Sequence, residues 1–203
     1  MRRFLLVSCV VLAAVLLPAG WAQAQSDRYS DDDGEDFNRF ALGVGIGLVE
    51  PLDQVEPYFM ASLRIRAGRG GEEGGSGGGR RGDEGITGWI EPEIGYWETS
   101  GGDRGVKGSD LLAGINLIGV VPLGSVDSFF GVGAGLHWLD TSLIEDDPSL
   151  TGTDTKFGAN AQFGIDLFMT DHVSAFGAGR FDLVQGSKDK VQTKVYLGIR
   201  GRF

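Results

Sequence analysis

Between Ala41 and Leu48 the chain alternates large apolar residues with the smallest one. Leu42, Val44, Ile46 and Leu48 take the even places, and Gly43, Gly45 and Gly47 the odd ones. On an extended strand those two sets face opposite ways. A helix would carry three interior glycines, each costing roughly 1 kcal/mol. The period is two, and a chain with this period builds sheet.

The same beat recurs seven times. A second strand is expected over about Tyr58–Arg66, with Phe59, Ala61, Leu63 and Ile65 opposed by Tyr58, Met60, Ser62, Arg64 and Arg66. The third, about Ile86–Trp97, sets Ile90, Ile94 and Tyr96 against Trp89, Glu91 and Glu93; Pro92 inside it removes a ladder donor and predicts a bulge. The fourth (about Asp110–Val121) opposes Leu111, Ala113, Ile115, Leu117 and Val121 to Asn116. The fifth (about Phe129–Trp138) opposes Phe130, Val132, Ala134, Leu136 and Trp138 to three glycines and His137. The sixth (about Lys156–Met169) sets Phe157, Phe163, Ile165 and Leu167 against Asn160, Gln162, Gly164 and Asp166. The seventh (about Val173–Val184) sets Val173, Ala175, Phe181 and Leu183 against Ser174, Arg180 and Asp182. The eighth (about Val191–Phe203) sets Val191, Val195, Leu197, Ile199 and Phe203 against Gln192, Lys194, Arg200 and Arg202. Eight strands of roughly 9–13 residues suit a tilted sheet that crosses a membrane, and an even count suits a single-chain barrel.

The N-terminal segment reads as an export signal. Arg2 and Arg3 precede an apolar run from Phe4 to Leu17, followed by Pro18, Gly20 and the pattern Ala22-Gln23-Ala24. Cleavage is expected after Ala24. The apolar run falls short of the roughly 20 residues of a spanning helix. Leu6-Val7-Ser8-Cys9 loosely fits a lipobox, but the apolar core continues past Cys9, so lipidation is not expected. Cys9 is the only cysteine and leaves with the signal, so no disulfide supports the mature chain. Without Arg2 and Arg3 the 18 basic residues become 16 against 28 acidic ones, a net charge of −12. That charge speaks against nucleic acid as a partner. Residues 25–37 form an acidic lead-in expected to be disordered. After export, with no long apolar helix, only a closed sheet can span a bilayer.

Periodicity alone does not say which face of a barrel is inside. A water-soluble barrel would put its apolar face inward. Three features point the other way. The second face mixes glycines with Arg64, Glu91, Glu93, Asp166, Arg180, Asp182, Lys194 and Arg200, charges of both signs that suit a small self-pairing lumen. Aromatic residues near strand ends (Tyr58, Tyr96, Trp97, Phe129, Phe130, Trp138, Phe168 and Phe203) suit interfacial girdles. The last strand runs Val195-Tyr196-Leu197-Gly198-Ile199-Arg200-Gly201-Arg202-Phe203, alternating apolar residues up to a terminal Phe. This resembles the terminal strand of bacterial outer-membrane proteins, although Gly201 stands where a bulky residue is usual.

From about Asn38 to Phe203 the chain therefore resembles the small outer-membrane β-barrels, akin to outer-membrane protein A-like and X-like barrels. The fold class expected is all-β: an antiparallel transmembrane barrel of eight strands in the Gram-negative outer membrane. The resemblance implies that Val195, Leu197, Ile199 and Phe203 serve as the signal read by the barrel-assembly machinery. It also implies periplasmic chaperones during biogenesis, and outer-membrane lipid and lipopolysaccharide as surroundings. It places the C-terminus in the periplasm. Residues 122–128 and 170–172 then become periplasmic turns, and 51–57, 98–109, 139–155 and 185–190 extracellular loops. Residues 68–85, Gly-rich, read as a flexible periplasmic insertion longer than the turns usual there. Arg81-Gly82-Asp83 within it is a chance tripeptide of that composition.

No reaction is legible. His137 lies on the polar face near a rim, but the Ser expected two residues later in an outer-membrane lipid deacylase is Leu139 here; Asp140 and Ser142 fall in the loop. His172 reads as a solvated turn residue. The run Asp31–Asp36 lacks calcium-loop spacing, with Asp36 where Gly and Leu42 where Glu would be required. Glu145, Asp146, Asp147 and Asp154 read as a solvated loop. Gly43-x-Gly45-x-Gly47 lies within a strand and opens no helix, so it is no dinucleotide fingerprint. No catalytic residue, metal or cofactor is expected. The leading expectation is a structural or surface-interaction barrel plugged by lumen ion pairs. The alternative is a narrow pore for ions or small solutes, and the weakest reading a lipid-modifying enzyme.

Overall fold

The structure is a computed structural model and describes residues 39–50, 55–69, 86–100, 107–124, 126–143, 152–188 and 190–203. The expected signal peptide, the acidic lead-in, residues 70–85 of the Gly-rich insertion and the acidic run Glu145–Asp147 lie outside the described residues.

Eight strands close into one antiparallel barrel: β1 (Phe40–Glu50), β2 (Glu56–Arg69), β3 (Thr87–Ser100), β4 (Lys107–Pro122), β5 (Val126–Asp140), β6 (Thr153–Phe168), β7 (Val173–Val184) and β8 (Val191–Arg202). Each pairs with its chain neighbour, and β1 pairs with β8, Val44 opposite Ile199 and Leu48 opposite Val195. Most strands extend the expected ones by one to a few residues, β2 taking in Gly68 and Arg69, while β7 keeps the expected bounds and β8 ends one residue earlier, at Arg202. At 11–16 residues they meet or exceed the 9–11 or so that a tilted membrane strand needs. The links β1–β2, β3–β4, β5–β6 and β7–β8 gather at one end, here the loop end. The other three links and the described termini lie at the turn end. Gly124, with φ of 78°, occupies the left-handed region that a tight hairpin demands, where the Leu123 amide donates to the Val126 carbonyl at 2.8 Å.

Period two fixes the faces. Leu42, Val44, Ile46, Phe59, Ile94, Ile115, Leu117, Phe130, Val132 and Leu197 point out and are exposed, Ile46 by 66% and Leu117 by 64%. Arg64, Glu91, Asp166, Arg180 and Lys194 point in and are buried. Apolar outside and charged inside inverts the soluble pattern. An apolar surface this continuous has no place in water; it suits a bilayer, where the closed sheet also leaves no unpaired strand edge. Apolar residues close the interior above and below the charges. Trp89, Ile118, Val120 and Phe129 lie toward the turn end, and Val49, Leu139, Leu143 and Val184 toward the loop end.

Two expectations need correction. Tyr58, Trp97 and Phe129 are not part of an interfacial girdle. All three are buried inside the barrel, because face parity, not nearness to a strand end, decides where a side chain points. Pro92 does not sit at a bulge. β3 pairs with β4 without a break through Pro92 and Ile115. On the β2 side pairing lapses at Leu63 and Arg64 and resumes in the same register at Ile65 and Ile90. The bulge falls further on, between Arg66 and Gly68. Losing one donor costs a local gap in the ladder, not a change of register.

Candidate functional site: the buried charges of the barrel

Eight inward side chains form two clusters, each with two cations and two anions. The first lies toward the turn end. Arg64 from β2 donates through Nε to Glu91 on β3, and through Nη1 to Asp166 on β6 at 3.0 Å. Arg200 from β8 donates to the same Asp166 and stands 3.7 Å from Glu91. Cations and carboxylates thus alternate round a closed ring of four. Gln162 adds an amide donor to Glu91 at 3.2 Å, and Asn116 donates to the Glu91 backbone carbonyl at 3.3 Å. Apolar rings cover the guanidinium faces: Arg64 lies 4.3 Å above Phe129 and Arg200 4.4 Å from the Phe176 centroid. Such stacking occupies the faces that hydrogen bonds leave free.

The second cluster lies toward the loop end. Arg180 of β7 donates to Asp182 on its own strand at 2.8 Å and to Glu93 of β3. Lys194 of β8 places Nζ 2.9 Å from Asp182 Oδ2 as an ion pair, and stands 4.8 Å from the Tyr58 ring. That contact meets the ion-pair distance without hydrogen-bond alignment, and Lys194 Nζ has no directed bond in the structure. Tyr196 joins the first cluster through Gln162, to which it donates its hydroxyl at 2.8 Å, and its ring packs edge-on against Tyr58 and Phe176.

Burial raises the stakes of each partnership. Every one of the eight is at most 5% exposed. A charge stranded by loss of its partner at such a site costs about 3–5 kcal/mol. Four positive charges against four negative leave no net charge in this core.

Two further pairs went unremarked in the sequence. His137 Nδ1 lies 2.9 Å from Asp110 Oδ2, both fully buried near the loop end. Asp110 shares the inward parity of β4, and register places it one inward step from the residue opposite His137. The remaining edge of the imidazole faces β6: a Cβ at Gly158 would fall 2.6 Å from Nε2. At the turn end Arg202 reaches across from β8 to Asp127 of β5 at 2.9 Å, its guanidinium 4.1 Å from the Phe168 ring.

The loop end is bridged as well. A single 3-10 turn, Thr141–Leu143, follows β5. Leu143 drops into the interior and is buried. The Ser142 hydroxyl donates to the Lys107 carbonyl, and the Lys188 amide donates to the Leu143 carbonyl at 2.8 Å. The turn thereby ties β4 to the β7–β8 link. Among the described residues no group of three or more His, Cys, Asp or Glu side chains could hold a metal ion.

Of the residues proposed for assembly, Leu197, Ile199 and Phe203 are exposed on the outer face and Val195 lies part-buried beside them.

With this architecture in hand, solved structures offer a comparison. Neisserial surface protein A matches with a TM-score of 0.53 at 12% identity, covering 81% of this chain and 96% of its own. The N-terminal β-barrel domain of Pseudomonas aeruginosa OprF matches with 0.50 at 11%, covering 83% and 100%. The outer membrane enzyme PagL matches with 0.50 at 15%, covering 80% and 99%. The fold is that of the small outer-membrane β-barrels. At these identities the likeness concerns fold alone. No family model matches the sequence, and no curated protein matches it.

Proposed function

We propose that the chain is a non-enzymatic integral barrel of the outer membrane whose interior is closed to solutes. The observation that carries this reading is the interior itself. Two neutral four-charge clusters lie between apolar layers at both ends. An eight-stranded barrel has room for little besides its own side chains. A hydrated ion following this path would have to part pairs that have no water to replace them. The role left to such a body is to hold its loops rigidly at the membrane surface, for structure or for contact with other molecules. On this reading Val195, Leu197, Ile199 and Phe203 are the row read during assembly, and lipid and lipopolysaccharide surround the belt.

His137 and Asp110 do not favour an enzyme. The pair is sealed from the surface, and the free edge of the imidazole packs on Gly158 rather than on a hydroxyl nucleophile. A narrow pore is the competing reading, and solute efflux separates the two. The protein folded into vesicles loaded with a small sugar should retain it as lipid-only vesicles do. Rapid release by wild-type protein would transfer the function to the pore.

A further inference from the structure

One stretch of the outer wall is concave. On β7 three successive outward positions are small, Ala175, Gly177 and Gly179, while the flanking strands carry Phe163 and Leu167 on β6 and Leu197 on β8. These enclose an apolar groove of about 220 Å³ with the β7 backbone as its floor. The walls lean inward. A Cβ at Gly177 would meet Leu197 Cδ2 at 3.2 Å, and one at Gly179 the Phe163 ring at 3.1 Å. Leu167 and Ala175 are part-buried although they point outward, where Ile46 and Leu117 on convex parts of the wall are about two-thirds exposed. Toward the loop end the groove is stopped by Phe163 stacked on Phe181, ring centroids 6.4 Å apart. Toward the β6–β7 turn its lining ends at Leu167 and Ala175.

We propose that this groove seats one acyl chain of a phospholipid from the leaflet on the side of the β6–β7 turn. The groove is continuous with the lipid-facing belt, so hydrocarbon is what lies against it. The one polar side chain among its lining residues, Tyr196, turns its hydroxyl inward to Gln162. The groove's dimensions select the occupant. From Ala175 to Gly179 is about 13 Å of strand, roughly 10 Å of depth at a tilt of about 40°, and Gly179 stands near the middle of β7. The chain end would therefore lie against Phe163 and Phe181 toward the bilayer midplane. Strands about 4.8 Å apart leave about 10 Å between the β6 and β8 backbones, less than a helix of about 10–12 Å diameter would need once the leaning side chains are counted. This rests on the transmembrane placement of the barrel and not on whether its interior conducts.

Photocrosslinking tests it. The protein is folded into vesicles of phosphatidylethanolamine and phosphatidylglycerol doped with a phosphatidylethanolamine whose acyl chain carries a diazirine, either near the methyl end or near the carbonyl. Folding is checked first by heat-modifiable migration; failure to insert would sink the transmembrane placement, a different result from uniform labelling. Methyl-end adducts should concentrate several-fold at Phe163 and Phe181, both exposed, over outward residues of β1 and β4. The carbonyl-end probe should label nearer the β6–β7 turn. Gly177→Leu, whose one near neighbour is the movable end of Leu197, should remove the excess while labelling of β1 stays the same; Ala175→Leu gives the same readout at a second site. Adducts spread evenly round the wall, an excess that survives both substitutions, or protein–protein crosslinks in place of lipid adducts would overturn the proposal.

Discussion

Tyr196 donates its hydroxyl hydrogen to Gln162 at 2.8 Å, and Gln162 in turn donates to Glu91 at 3.2 Å. The phenol is thereby tied to the first cluster through one amide, while its ring packs on Tyr58, which lies beside Lys194 of the second. Tyr196→Phe keeps the ring contacts with Tyr58 and Phe176 but strands the Gln162 carbonyl. An orphaned buried acceptor costs about 1–3 kcal/mol. The urea midpoint for unfolding from detergent micelles should fall accordingly; an unchanged midpoint would mean that the link contributes nothing.

Arg64 and Glu91 are partners in a buried ring, so their substitutions should not add. Removing either alone leaves the ring of four with an uncompensated buried charge and should cost about 3–5 kcal/mol, whereas removing both should cost less than the sum. A double-mutant cycle with Arg64→Met and Glu91→Gln, read by equilibrium unfolding, should give a coupling energy above about 0.5 kcal/mol. Additivity would place the two charges outside each other's reach.

Inward glycines are sockets for side chains from neighbouring strands. Tyr58 lies over Gly95, where a Cβ would run into the ring and its hydroxyl oxygen. Gly95→Ala should therefore overpack the wall and cost about 1–3 kcal/mol. Adding Tyr58→Leu should recover part of that loss in the same unfolding measurement. A Gly95→Ala barrel as stable as wild type would show that the ring has a second place to go.

The His137–Asp110 pair should matter to folding and not to chemistry. Asp110→Ala leaves a buried imidazole nitrogen without its partner, a loss of about 1–3 kcal/mol. Wild-type protein incubated with outer-membrane lipid should release no acyl chains. Acyl release abolished by Asp110→Ala would assign the pair to catalysis.

Much of this fold is legible in the chain because a strand's period is two and the barrel has only two faces. The inward direction of Arg64, Glu91, Glu93, Asp166, Arg180, Asp182, Lys194 and Arg200 follows from parity alone. Parity does not give height, so it cannot say that Arg64 meets Glu91 and Asp166 while Arg180 meets Glu93 and Asp182. Those matches depend on the stagger between strands, set by turns such as the one at Gly124. Tyr58, Trp97 and Phe129 show what happens when the rules are ranked wrongly. Their nearness to strand ends suggests a girdle, but their parity places them inside. Asp110 is itself the first residue of the expected fourth strand, and its partner His137 is found only once β4 and β5 are in register. The groove on β7 was hidden for a further reason. Small residues at 175, 177 and 179 look like a weak strand in one dimension, and become a concavity only when Phe163 and Leu197 stand on either side.

The central claim is that paired charges close the interior, and planar-bilayer recording tests it most directly. Refolded wild-type protein should give no discrete channels. Arg64→Ala and Glu91→Ala, confirmed as folded, should leak, because each opens the ring of four and strands a charge that draws in water. Stable unitary channels in the wild type would contradict the account and make the barrel a pore.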